Sequence, residues 1–352
     1  MSAIAAVLAA AALSISCAAF APLKSSTIDG IEKSRRLIAE TFGDSDYRTT
    51  NEDSAGAAER GEIDRASAAW WGFDPKDSSR SLRAALASGA GTVLVPAMAS
   101  PWRTGPLMLR GSLTLILEPG AEIAALEGAF LDSGDCLLEA DGAADLIIIG
   151  YGAKLSMRKA DYRRVPYQDS QWRHALSLRE PLRAMVSGLS IEDSGGDGVY
   201  IGQRRGRPVP EDVVLQDLRI RGNYRQGISV TSARGLRILR CDISGTSGHL
   251  PGAGIDFEPN SELFGFADCL VLSCSIYDNA GPGVLVYLAN RSEEEMPTVI
   301  EVRDSVVRGF PYGIYVGGLG AGARGSLLIA GGRVSGLVRK VPGAGFALER
   351  AH

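Results

Sequence analysis

Asp256 and Glu258 are two carboxylates separated by one residue. In an extended strand, residues i and i+2 project from one face with Cα atoms about 6.5 Å apart. Acids that close suit paired acid and base work, or acid and nucleophile, because one charge disfavours the second and leaves a carboxyl protonated. The same pair could instead decorate a solvated face, or supply oxygen ligands to a Ca²⁺ cofactor. Arg225 stands one segment upstream and offers a bidentate guanidinium for a carboxylate, either one of this pair or that of a bound acid. His249 lies in the turn before the acids, where an imidazole could pass a proton. Tyr200, Tyr224, Ser229, Thr231, Tyr287 and Asp197 add aromatic and polar groups that could hold a ligand beside them. The loop Gln203-Arg204-Arg205-Gly206-Arg207-Pro208 is a local basic patch suited to an anionic chain. Glu293-Glu294-Glu295 is an acidic run on another loop.

These residues act together only if the chain brings them to one surface, and an internal repeat does so. The motif is glycine, apolar, any residue, apolar. It occurs at Gly198-Val199-Tyr200-Ile201, Gly227-Ile228-Ser229-Val230 and Gly254-Ile255-Asp256-Phe257, then at Gly283, Gly313 and Gly345. The glycines are 27 to 32 residues apart. Between copies lie further alternating apolar segments, Leu215–Ile220, Leu236–Ile243, Leu270–Ile276, Val299–Val306 and Leu327–Val334. No helical periodicity intervenes, which excludes leucine-rich, ankyrin and βαβ arrays, and a propeller needs more strands per repeat. A coil of this length cannot bury its own apolar face, so coils must stack. The expected fold is all-β, a single-stranded parallel β-helix.

In that frame the apolar pair of each glycine-led strand faces inward. Two outward columns result: Ser177, Tyr200, Ser229, Asp256, Leu285, Tyr315, and Arg179, Gly202, Thr231, Glu258, Tyr287, Gly317. Asn223 and Asn279 precede their glycines by four and are expected to take turn conformations. Cys241 and Cys274 occupy equivalent places and should stack inside neighbouring coils as small apolar groups. Asp77-Ser78-Ser79 caps a helix through Leu82 and Leu86 to Gly89, followed by the strand Thr92–Pro96.

Composition agrees. Of 352 residues 45% are hydrophobic and 22% charged, enough for a core, while 43 glycines and only 7% aromatics suit slim elements with many turns. A net charge of −4 argues against nucleic acid as a partner. Residues 1–21 resemble an export signal whose apolar stretch, Ala3–Ile15, is too short to span a bilayer. Two processing routes are open: Ala19-Phe20-Ala21 resembles a small-residue cleavage site, and alternatively Leu13-Ser14-Ile15-Ser16-Cys17 looks like a relaxed lipobox that would place a lipid anchor on Cys17. The predicted organisation is thus a signal over 1–21, a helical and linker segment over 22–69, and the β-helix over 70–352. The last coil is followed almost at once by His352, so a homo-oligomer contact is one way to cover an open end.

Asp77–Leu82 with Gly91–Pro96 resembles the capping helix and first strand of the pectate-lyase-like (pectin-lyase-like) superfamily. Gly195–Gly202, Asn223–Ser229 and Gly252–Asn260 resemble exported bacterial right-handed β-helix repeat proteins. The resemblance covers roughly residues 70 to 350. It implies a right-handed parallel β-helix with an N-terminal capping helix, and a secreted, periplasmic or envelope-anchored protein. It also implies a polysaccharide partner, acted on by a glycosidase, a lyase or an epimerase, or bound by a non-catalytic scaffold. The Asp-Pro-His pattern of mannuronan epimerases is absent, as are the paired aspartates of polygalacturonases in their usual context.

Overall fold

The computed structural model describes residues 23–43, 45–260, 265–290, 297–320 and 322–351. The signal-like segment with Cys17 and the acidic run Glu293-Glu294-Glu295 lie outside them.

The chain winds into coils of short strands. One coil runs through Val199–Gly202, Glu211–Gln216 and Arg219–Arg221, and the next through Ile228–Val230, Arg237–Leu239 and Asp242–Ser244. Successive coils pair in parallel and in register, Tyr200 on Ser229, Ser229 on Asp256 and Asp256 on Leu285. Glycine-led strands form one face, and the strands around Ile191, Ile220, Ile243 and Ile276 form another. The long strand Val306–Gly317 joins these two faces into one sheet, while the remaining strands make a second sheet.

The core is a set of aliphatic columns. Val199, Ile228, Ile255, Val284 and Ile314, and beside them Ile201, Val230, Phe257, Val286 and Val316, are completely buried. Burying each such side chain stabilises the fold by about 1.5–3 kcal/mol, and stacking repeats that gain on every coil. The glycines of the repeat are required by crowding, not by backbone angle. A Cβ at Gly227 would stand 2.4 Å from Ile243 Cγ2 and 2.5 Å from the Gly254 carbonyl oxygen, and Gly198 and Gly254 are confined in the same way.

Three sequence expectations need correction. Each alternating segment between glycine motifs is not one strand but two, broken by a left-handed residue: Asp217 (φ 56°), Arg240 (51°), Ser273 (55°) and Asp304 (47°). The coil therefore has three faces. Second, Asn223 and Asn279 have no positive φ among the described residues. They are buried, and their Oδ1 atoms accept the N–H of Ser194 and Thr246 on the preceding coil, each at 3.1 Å. Third, the segment expected to be a linker or strap carries the helix Glu52–Glu59 and the strand Arg65–Ser67, which pairs with Thr92–Val95.

The helix Ser79–Ala87 covers the first coil through Leu82, Ala85 and Leu86, and Asp77 Oδ1 accepts the Ser79 N–H at 2.9 Å. The longer helix Leu23–Phe42 packs Phe42 against Trp70. Its Gly30 lies on the Tyr151 ring, where a Cβ would come within 2.1 Å. Cys241 and Cys274 are free, buried and stacked, the Cys241 N–H pointing at Cys274 Sγ at 3.4 Å. No helix among the described residues is long and apolar enough to cross a membrane.

Candidate functional site

The glycine-led face carries the site. Alternation puts Ile255 and Phe257 in the core and Asp256 on the opposite side, and Glu258 continues the strand direction on the same side. The sequence expectation of two exposed acids holds only in part. Glu258 is half-buried, but Asp256 is 2% exposed. Long neighbours on adjoining coils cover it, since strands only about 4.8 Å apart put every side chain within reach of the next coil's.

Gln226 Nε2 donates to Asp256 Oδ2 at 2.8 Å, while Gln226 Oε1 accepts the Ala253 N–H at 2.7 Å. That second bond fixes the amide's orientation. Asp256 Oδ1 is buried with no hydrogen-bond partner. Burial, then the charge of Glu258, pushes the Asp256 carboxyl well above its ordinary pKa, with Arg225 opposing. Burial also raises Glu258, again against Arg225. Ionised Glu258 raises Asp256, so the pair loses its protons in sequence, and Oδ1 is the oxygen left to carry the retained one.

Arg225 is fixed to a different partner. Its Nε and a terminal nitrogen donate to the two oxygens of Asp197 at 2.8 and 2.6 Å, and the same terminal nitrogen reaches Ser229 Oγ at 3.3 Å. Burial alone would lower the guanidinium pKa, but the charge and hydrogen bonds of Asp197 raise it overall. A guanidinium held this way is no proton acceptor, and its bidentate partner is neither acid of the expected pair but Asp197. Asp197, expected to contact a ligand, is fully buried. Ser229 and Thr231, each 3% exposed, line the floor instead of reaching into solvent.

Tyr200 lies down along the sheet. Its hydroxyl pairs with Thr231 Oγ1 at 3.2 Å and passes over Gly202, where a Cβ would meet it at 2.4 Å. His174 stacks on the Tyr200 ring, with centroids 4.9 Å apart and planes 11° from parallel. Its Nδ1 accepts the Asp197 N–H at 3.0 Å. Burial lowers its pKa to about 4 against the charge of Asp197, so the ring is neutral at physiological pH. Tyr287 is 37% exposed beside Glu258, and Trp172 is 50% exposed near the His174 corner.

His249 and Tyr224 belong elsewhere. Arg163 stacks on the Tyr224 ring at 4.0 Å and donates to its hydroxyl, and exposed His249 sits 6.0 Å from that ring. Among the described residues no hydrogen bond or ion pair joins either one to Asp256 or Glu258. The expectation that His249 overhangs the acids is not met, because its Nδ1 turns to the Leu250 carbonyl.

Sequence reasoning missed Gln226 and left His174 without a register. Both were accessible in principle. His174, Asp197, Gln226 and Ala253 are the residues directly before each leading position, one per coil, and all four are buried.

Two coils away, Arg204 donates to Asp141 and to Glu180, the latter at 3.1 Å. With Asp141, Arg205 and Arg207 it lines a depression of about 530 Å³. Among the described residues no three acids, histidines or cysteines gather to hold an ion, so the acid pair alone offers fewer oxygens than the roughly six to eight Ca²⁺ takes.

Residues 169–324 match the family model of the right-handed β-helix region. No curated protein matches the chain. Three solved structures are similar to it at low identity. Tailspike protein gp49 of Acinetobacter baumannii bacteriophage Fri1, a capsular polysaccharide depolymerase, is 11% identical with a TM-score of 0.50, and the match covers 77% of this chain but only 59% of the tailspike. A polygalacturonase from Erwinia carotovora ssp. carotovora is 10% identical, covering 79% of this chain and 91% of that one, with a TM-score of 0.41. PfbA, a surface adhesin of Streptococcus pneumoniae, is 12% identical, covering 75% and 84%, with a TM-score of 0.38. At such identities the likeness is one of fold.

Proposed function

We propose, from the premise that this chain is a right-handed parallel β-helix of the pectate-lyase-like kind, that it is an exported enzyme hydrolysing a polysaccharide laid along the glycine-led face. One observation carries the reading: two carboxylates stand side by side on the outer face, one buried, with burial and its neighbour's charge pushing its pKa well up, and the other half-open. Protonated Asp256 would deliver its proton from Oδ1 to the glycosidic oxygen once the side chains above it part. Ionised Glu258 would act as base toward water or as nucleophile toward the sugar. Tyr287 and Trp172 offer exposed rings against which a sugar can pack, and Arg205 and Arg207 extend the surface toward an acidic chain. Hydrolysis is taken before elimination because Arg225 is committed to Asp197 and His249 turns to the Leu250 carbonyl, so neither of these two is placed to abstract a sugar proton.

The near-complete burial of Asp256 favours a second reading, a glycan-binding or envelope scaffold without turnover. A panel of polysaccharides, assayed for new reducing ends, separates the two. Asp256→Asn and Glu258→Gln should each lower kcat by about 10²–10⁴-fold, the usual worth of a positioned acid or base. Turnover that survives both changes removes the pair from the mechanism. Binding without any turnover establishes the scaffold, and an unsaturated product would replace hydrolysis by elimination.

A further inference from the structure

Around Asp256 the structure holds more carboxylates than cations. The charged groups facing it are Glu258 on its own strand, Arg225 at the corner of the preceding coil and Asp197 one coil further. Its partners across the sheet, Ser229 and Leu285, carry no charge. Among the described residues Arg225 is thus the one cation facing these three acids. Both oxygens of Asp197 hold it bidentately, and Asp197 has no exposure to water that could weaken the pair. The guanidinium nevertheless touches Ser229 Oγ, and Ser229 is the residue in register with Asp256. Arg225 is therefore about one coil spacing, about 4.8 Å, from pairing with Asp256.

We propose that Asp197 is a positioning residue that holds Arg225 away from Asp256 and so leaves Asp256 without a counter-ion. A buried carboxylate ionises readily only when a cation lies against it. Asp197 keeps the one cation engaged, and Asp256 keeps its proton. The role rests on the reading of Asp256 as the acid, but it can be tested without any substrate.

The test is a ¹³C-carboxyl NMR titration of Asp256 in the full chain. In the unmodified protein, Asp256 should titrate above the ordinary carboxylate range. In Asp197→Asn, Arg225 is released toward Asp256, and the titration should move down by about 1–3 pH units, the effect of a new opposite charge. In the double variant Asp197→Asn, Arg225→Met, no cation remains, and the titration should return to the unmodified position. An unchanged titration in the single variant overturns the proposal. So does a double variant that stays as low as the single one, because the charge of Asp197 would then act directly and not through Arg225. If Asp197→Asn does not fold, the unmodified chain still decides. The ¹⁵N shifts of the Arg225 guanidinium should stay constant while Asp256 titrates, and shifts that follow Asp256 overturn the proposal. Loss of the functional reading appears separately, as full turnover in Asp256→Asn, and would leave these titrations unchanged.

Discussion

The glycine-led face carries two clusters with the same parts, one guanidinium among carboxylates, and they behave differently. In the first, Arg204 bridges Asp141 and Glu180, and its side chain is 48% exposed. Hydrogen bonding to Glu180 and the charges of both acids raise the arginine's pKa, while water reaches Arg204 and Asp141, and buried Glu180 is also held by the Arg204 N–H. In the second, Arg225 is 17% exposed and is bound to Asp197 and Ser229, while burial and the charge of Glu258 push the Asp256 carboxyl well above the ordinary carboxylate range. Each cluster has one cation for several acids. Burial decides whether the acid left over can stay ionised, since a charge in a water-poor environment must be paired or neutralised.

The largest effect that would sharpen this contrast is Arg225→Met. It leaves Asp197 buried and unpaired, and chemical denaturation should show a loss of about 3–5 kcal/mol. A loss below about 1 kcal/mol would place Arg225 in the same class as Arg204. Gln226→Leu removes the amide that bonds Asp256 Oδ2 and the Ala253 N–H, and should cost about 1–3 kcal/mol in the same measurement.

Asp256→Asn should act in the opposite direction. The folded chain holds the Asp256 proton more tightly than the unfolded chain does. Wild-type stability therefore falls as pH rises from the ordinary carboxylate range, about 4, through the raised folded value. The asparagine variant lacks that fall, so it should be the more stable protein at neutral pH, and the two denaturation curves should converge in acid. Equal stability at both pH values would mean that Asp256 is not held protonated. Last and smallest, Arg204→Met should change stability by about 1 kcal/mol or less, because the carboxylates it serves keep access to water or a backbone donor.

Much of this arrangement is legible along the chain. The spacing from Gly198 to Gly345 predicts stacked coils, and the columns through Asp256 and Glu258 match the observed register. What the pattern hides is the corner of each coil. Asp217 and Asp304 are aspartates but Arg240 and Ser273 are not, so the bend they make by turning left-handed is not visible as a motif of one residue type. Asn223 and Asn279 read as turn formers, although their side chains bond the backbone of the coil before. Alternation tells which side of a strand a residue takes. It does not tell whether that side is open, and Asp256 is on the predicted side yet covered.

By itself the sequence determined the fold and which residues share a face, because apolar alternation and recurring glycine are local rules that repeat on every coil. Only the tertiary structure decided who pairs with whom. Whether Arg225 turns to Asp197 or to Asp256, and whether His249 reaches the acids, depends on side-chain directions at corners and on the water left between coils, and no spacing along the chain encodes either.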